Sequence, residues 1–209
     1  MTKLKRILDW IRHIDAHESR FHTLVHWLER KGILIAPFYL TLETGTGIPQ
    51  HKEIKGYTVR FLGPKDVKEL AEMPGRFGSL EEFSRNFKEE KKCIGVQHKG
   101  KIVAFTWCNL SKCDSRMLKF DLKQNEAYIF DAFTHPAYRG MGLAPFMRLQ
   151  LYQLMKKHGR HRFYSITEAF NRSAIKLKHK VGGEFLFLGL YVELFKKFKR
   201  VFKLKKYRE

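Results

Sequence analysis

Apolar residues recur at helical spacing along the first part of the chain: Leu4, Ile7, Leu8, Ile11 and Ile14, then Phe21, Leu24, Val25 and Leu28. This predicts helix over residues 3–31, closed by Lys31 and Gly32. The pattern then becomes the continuous apolar run of a strand over Ile33–Glu43, followed by a turn-rich linker, "TGTGIPQHKEIKG". "YTVRFLG" alternates as a half-buried strand does, Pro64 and Lys65 open a helix around "KDVKELAEM", and a polar, irregular stretch runs on to Lys92. "CIGVQHKGKIVAFTWCNL" predicts two strands folded back on each other at residues 98–101, with Gly100 supplying the bend. Further strands are predicted in "AYIFDAF" (127–133), "RFYSITEAF" (162–170) and "EFLFLGLYVELF", with helices running to Lys157 and through "NRSAIKLKHKV" between them. Strands and helices in this order place the chain in the α/β class.

Composition narrows the setting. The chain has 209 residues, 44% of them apolar, enough for one domain with a small appendage. No apolar run reaches the roughly 18–20 residues a membrane-spanning helix needs, and charge interrupts the first twenty residues too often for a leader peptide. A cytoplasmic location is therefore expected. Cys93, Cys108 and Cys113 form an odd set without a CxxC pair, which points to ordinary thiols and to neither a disulfide framework nor a metal site. The net charge of +20 is concentrated at the end of the chain, where residues 139–209 hold 18 Lys and Arg against Glu168, Glu184, Glu193 and Glu209. Such a field attracts polyanions: phosphate-rich cofactors, acidic carrier proteins, anionic lipid or nucleic acid.

The stretch "THPAYRGMGLAPFM" (134–147) carries the chemistry. A strand ends, a glycine-spaced turn follows, and a helix begins with Pro145 in its first turn. The first N–H groups of a helix lack partners inside it, its dipole makes that end positive, and glycines let an anion reach bare backbone. "RGMGLA" is therefore a candidate pyrophosphate cradle, although it lacks the GxxxxGK[ST] pattern and the third glycine of a dinucleotide fingerprint.

Thr134, Pro136, Tyr138, Arg139, Gly140, Gly142, Leu143 and Ala144 stand in register with the V-x-P-x-[YF]-[RQ]-G-x-G-[LI]-[GA] segment of the GNAT superfamily of acyl-CoA-dependent N-acyltransferases. Asn171, Ala174, Leu177 and Gly182 resemble its second signature, and "YTVRFLGPKDVKEL" looks like its opening strand and helix. The resemblance covers about residues 55–195. It implies a GNAT fold: a mixed, mostly antiparallel central sheet, flanked by helices, whose parallel fourth and fifth strands splay apart. It also implies three parts: an N-terminal helical and strand extension (1–54), the acyltransferase domain (55–195) and a basic, aromatic tail (196–209). Backbone N–H groups of Arg139, Gly140, Met141, Gly142, Leu143 and Ala144 would hold the pyrophosphate of acetyl-CoA or a longer acyl-CoA. Those near Phe133 and Thr134, where the family's fourth strand bulges, would meet the pantetheine and the thioester carbonyl. Asn171 and Ser173 would face the pantetheine or phosphate side, although capping of a helix is the simpler role for Asn171.

Direct acyl transfer needs a neutral amine, a polarised carbonyl and a proton for the departing thiolate. Asp131 and Glu168 sit within the two strands expected to splay, with His135 just beyond, and these are the candidate bases. Asp131 leads because a lone Asp in an apolar strand is costly to bury unless paired or used. Tyr128 would line the acceptor pocket. Many relatives place a Tyr as proton donor where this chain has Lys178, expected to be solvated, and Gly183 replaces a family Phe, so the general acid is unassigned. The resemblance implies transfer, most simply of acetyl, from acyl-CoA to a small-molecule amine or a cell-surface glycan or lipid precursor. Two alternatives stand beside it: an acyl-carrier protein as donor, and a non-catalytic CoA- or RNA-binding protein, the nucleic acid disfavoured for want of any RNA-binding signature. The tail "LFKKFKRVFKLKKYRE" fits either peripheral contact with an anionic inner-membrane surface or an edge strand with a solvated basic face.

Overall fold

The computed structural model describes residues 28–45, 54–76 and 78–207. The helix expected over residues 3–31 therefore lies outside the described residues except at 28–31, of which 28–30 are helical and Lys31 begins a turn.

Among the described residues, ten strands and four α-helices follow in the order β1 (Ile33–Glu43), β2 (Tyr57–Leu62), α1 (Val67–Ala71), α2 (Leu80–Lys88), β3 (Lys92–His98), β4 (Lys101–Asn109), β5 (Lys112–Asp114), β6 (Lys119–Asp121), β7 (Glu126–Thr134), α3 (Leu143–Lys156), β8 (Arg162–Glu168), α4 (Arg172–Lys180), β9 (Glu184–Leu194) and β10 (Phe198–Lys206). Eight strands make one sheet in the order β10-β9-β1-β8-β7-β4-β3-β2, while β5 and β6 form a separate ribbon. Every neighbour in the large sheet is antiparallel except β7 and β8. Strand β1 lies between β8 and β9 and β10 forms the rim, so both flanking segments enter the same sheet as residues 55–195. The basic tail forms the expected edge strand, with most of its residues exposed.

Local sequence explains the elements. Strands β3 and β4 pair from His98 opposite Lys101, leaving a two-residue loop in which Lys99 (φ 49°) and Gly100 (φ 78°) are both left-handed, as a type I′ hairpin requires. Strand β4 is buried from Ile102 to Asn109 because both its faces are covered. Its Ala104 and Cys108 pack with Leu143, Met147 and Leu151 of α3, while Phe105 and Trp107 pack with Leu70 of α1 and Phe83 of α2.

Helix α2 corrects the expectation of an irregular stretch before Lys92. Ser79 accepts a hydrogen bond from the N–H of Glu82 at 3.1 Å, and Phe83 is completely buried. The Ser-x-x-Glu start was a readable signal, but the polar outer face concealed the helix. All three cysteines are buried and free, and burial raises the Cys108 and Cys113 thiols to about 12. They are expected to resist a thiol reagent in the native protein at pH 8 and to react together on unfolding; rapid labelling of folded protein would contradict this burial.

Candidate active site

Parallel pairing of β7 with β8 stops after three residue pairs, Glu126–Arg162, Ala127–Phe163 and Tyr128–Tyr164. Beyond that point the strands part, and a cleft of about 910 Å³ opens between residues 128–134 and 165–168, roofed by α3 and α4. A bulge marks the divergence: Phe130 pairs with Trp107 and Phe133 with Phe105, so Asp131 and Ala132 together oppose Thr106. The bulge therefore lies two residues earlier than expected, and Asp131 is held left-handed at φ 48°.

At the mouth of the cleft the chain leaves β7, makes a 3-10 turn at Pro136–Tyr138 and enters α3. Gly140 (φ 81°) and Gly142 (φ 76°) are left-handed, and a Cβ on either would project into open space. A side chain there would be strained and would occupy the room an anion needs. The Arg139 N–H is not available to such an anion, because it bonds the Pro136 carbonyl at 3.2 Å. The N–H groups of Gly140, Met141, Gly142, Leu143 and Ala144 are not used by other backbone carbonyls, since the first bond of α3 runs from the Phe146 N–H to Gly142. This bare row fits a pyrophosphate. The Arg139 side chain folds back, donating from Nε to the Thr134 carbonyl at 3.2 Å with its guanidinium over Phe133.

The other expected residues divide. Phe133 and Thr134 line the cleft, as do Glu168, Asn171, Ser173 and Tyr128. Asn171 caps α4 through its side-chain oxygen, which accepts from the Ala174 N–H at 3.0 Å and from the Ser173 hydroxyl at 2.8 Å. His135 is not among the residues lining the cleft, and its Nδ1 accepts from the Ala137 N–H at 3.1 Å to cap the 3-10 turn. Asp131 does line it, and Arg76 donates from Nη2 to Asp131 Oδ2 at 2.7 Å. Burial lifts the Asp131 carboxyl above its ordinary range, against the pull of Arg76. A carboxylate so placed keeps its second oxygen for a proton.

Lys178 departs from expectation. It is 2% exposed, not solvated, and its ammonium donates to Glu43 Oε1 at 2.9 Å and Ser165 Oγ at 2.6 Å. Glu43, fully buried at the end of β1, also accepts from Ser165 at 2.6 Å and from the Tyr152 hydroxyl, with Arg148 Nε 3.7 Å away. Burial would raise the Glu43 carboxyl, yet Arg148, Lys178 and the hydroxyl donors outweigh it and hold it at about 2. Burial and the neighbouring Arg148 bring the Lys178 ammonium down to about 8. Arg148, Ser165 and Lys178 line the inner end of the same cleft.

Residues 64–182 match the model of the acetyltransferase (GNAT) family. A GNAT-family acetyltransferase from Colwellia psychrerythraea superposes with a TM-score of 0.58 at 18% identity, covering 85% of this chain and 62% of the other. A GCN5-related N-acetyltransferase from Sphaerobacter thermophilus gives a TM-score of 0.57 at 15% identity, covering 88% and 57%. The chain thus spans less than two thirds of either structure, and at these identities the likeness is one of fold. No curated protein matches the sequence.

Proposed function

The chain belongs to the GNAT acetyltransferase family, and from that premise we propose that it transfers an acyl group, acetyl in the simplest case, from an acyl-CoA to the primary amine of a small molecule or of a cell-surface glycan or lipid precursor. The observation that carries the reading is the bare N–H row from Gly140 to Ala144 at the mouth of a cleft made by two diverging parallel strands. Phosphates on that row would direct the acyl arm inward between β7 and β8.

The residues then divide the work. Asp131 takes a proton from the amine nitrogen as that nitrogen bonds to the thioester carbon. The carbon–sulfur bond breaks, and Lys178, an ammonium held near the pKa of a thiol, supplies the proton to the departing sulfur. Glu168, exposed on the other wall of the cleft, is the second candidate base. The high positive charge also suits an acidic carrier protein as donor. Anionic lipid would likewise suit the rim strand β10, where Phe198 and Phe202 are exposed beside Lys199, Arg200 and Lys203.

Incubation with acetyl-CoA or butyryl-CoA and a panel of amines tests the reading by release of free thiol. Amine-dependent release is expected. If neither thioester stabilises the protein to heat and neither is consumed, the reading fails. Gly142→Val should weaken acetyl-CoA binding at least about tenfold, by straining a left-handed residue and filling the cradle. Titration calorimetry measures this, and unchanged affinity would move the phosphate site elsewhere.

A further inference from the structure

Arg148 is 4% exposed, yet its Nη1 is buried without a hydrogen-bond partner. Among the described residues no hydrogen bond reaches its guanidinium, and its counter-charge, Glu43, stays 3.7 Å from Nε because Lys178, Ser165 and Tyr152 already occupy the carboxylate. A guanidinium has five donors in a planar fork, and buried donors are almost always satisfied. The charges do not balance either: Arg148 and Lys178 are two cations around one anion, Glu43. A water molecule could accept a hydrogen bond here but could not supply the missing negative charge. A carboxylate supplies both and matches the fork geometrically.

The position matters as much as the charge. Arg148 lies six residues past Gly142 on α3, roughly 9 Å along the helix axis, so a pyrophosphate on the N–H row would not be its ligand. It lines the inner cleft together with Ser165 and Lys178, where the reacting end of a substrate would lie. We propose that Arg148 anchors a carboxylate subsite, so that one substrate of this enzyme carries a carboxylate besides its reacting group. The carboxylate belongs either to the donor, as in a dicarboxylic acyl thioester, or to the acceptor, as in an amino acid. This inference rests on the acyltransferase reading and names the substrate class of that same cleft.

Two arms separate the sources. In the first, dissociation constants of succinyl-CoA and butyryl-CoA are compared in the full chain; in the second, kcat/KM with acetyl-CoA is compared for a panel of amino acids, each against its own carboxamide. One arm should favour the carboxylate by about tenfold or more, the order of a charge-assisted hydrogen bond. That preference should vanish in Arg148→Met, which leaves Glu43 and Lys178 as a balanced pair, and should return in part in Arg148→Lys. A preference of less than about twofold in both arms overturns the subsite while leaving acyl transfer intact. So does a preference that persists in Arg148→Met. Absence of any thioester binding or turnover overturns both readings together.

Discussion

Replacing Glu43 with glutamine is expected to destabilise the protein by about 3–5 kcal/mol, the range for removing one member of a buried ion pair. The substitution keeps the shape of the side chain but replaces one acceptor oxygen with an NH2 donor, and it leaves the buried Lys178 and Arg148 without a counter-charge. That loss is a large part of the roughly 5–15 kcal/mol by which a domain is stable. Urea unfolding at pH 7 measures it, and a cost below about 1 kcal/mol would contradict the cluster. The sign with acid follows from the carboxyl being depressed from 4.5 to about 2 in the folded chain. Its contribution is complete above pH 4.5 and declines as pH falls toward 2, so Glu43→Gln should flatten this part of the acid-stability curve. Lys178→Met added to Glu43→Gln should cost less than the two single changes summed, because the second removes a charge the first has left unpaired.

Asp131→Asn is expected to lower kcat by about 10² to 10⁴, the usual contribution of a general base, while acetyl-CoA affinity changes little. The asparagine keeps a hydrogen-bond acceptor for Arg76 but cannot take a proton at neutral pH. The Asp131 and Arg76 side chains keep 22% and 15% exposure, against none for Glu43, so folding should be less affected than by Glu43→Gln. Turnover measured beside calorimetric acetyl-CoA binding distinguishes loss of chemistry from loss of the site. If Asp131→Asn turns over at the rate of the unmodified protein, the base lies elsewhere and Glu168→Gln becomes the decisive variant.

The parts of the fold that depend on adjacent residues were legible in the sequence. The Gly100 turn, the glycine-spaced entry to α3 and the Asn171 cap each depend on conformations encoded within a few positions. The buried charge cluster was not legible, because Glu43, Arg148, Tyr152, Ser165 and Lys178 come from four elements and meet only when the sheet forms. Lys178 still left a trace. In "NRSAIKLKHKV" it shares the inward phase with Ala174, Leu177 and Val181, while Lys176 and Lys180 point outward. A charged residue in the apolar phase of a helix calls for a buried partner, and the one it found lies 135 residues away. Asp131 was singled out as a residue that had to be paired or used, but Arg76, 55 residues distant, could not be identified from local pattern.

The placement of β1 has a consequence for how the chain reaches its native state. It is the first described strand to be made, yet both its partners, β8 and β9, come from the far end of the sequence. Thr41 hydrogen-bonds Ser165 across a separation of 124 residues. Until β8 and β9 are synthesised, β1 is an apolar segment with both hydrogen-bonding edges bare, and closing so long a loop makes its insertion a slow, late event. Strands β2, β3 and β4 can assemble with α1 and α2 well before that. Glu43 arrives with β1, so the inner wall of the cleft is completed last, and a nascent chain lacking its final quarter would hold the glycine cradle without the charges beneath it.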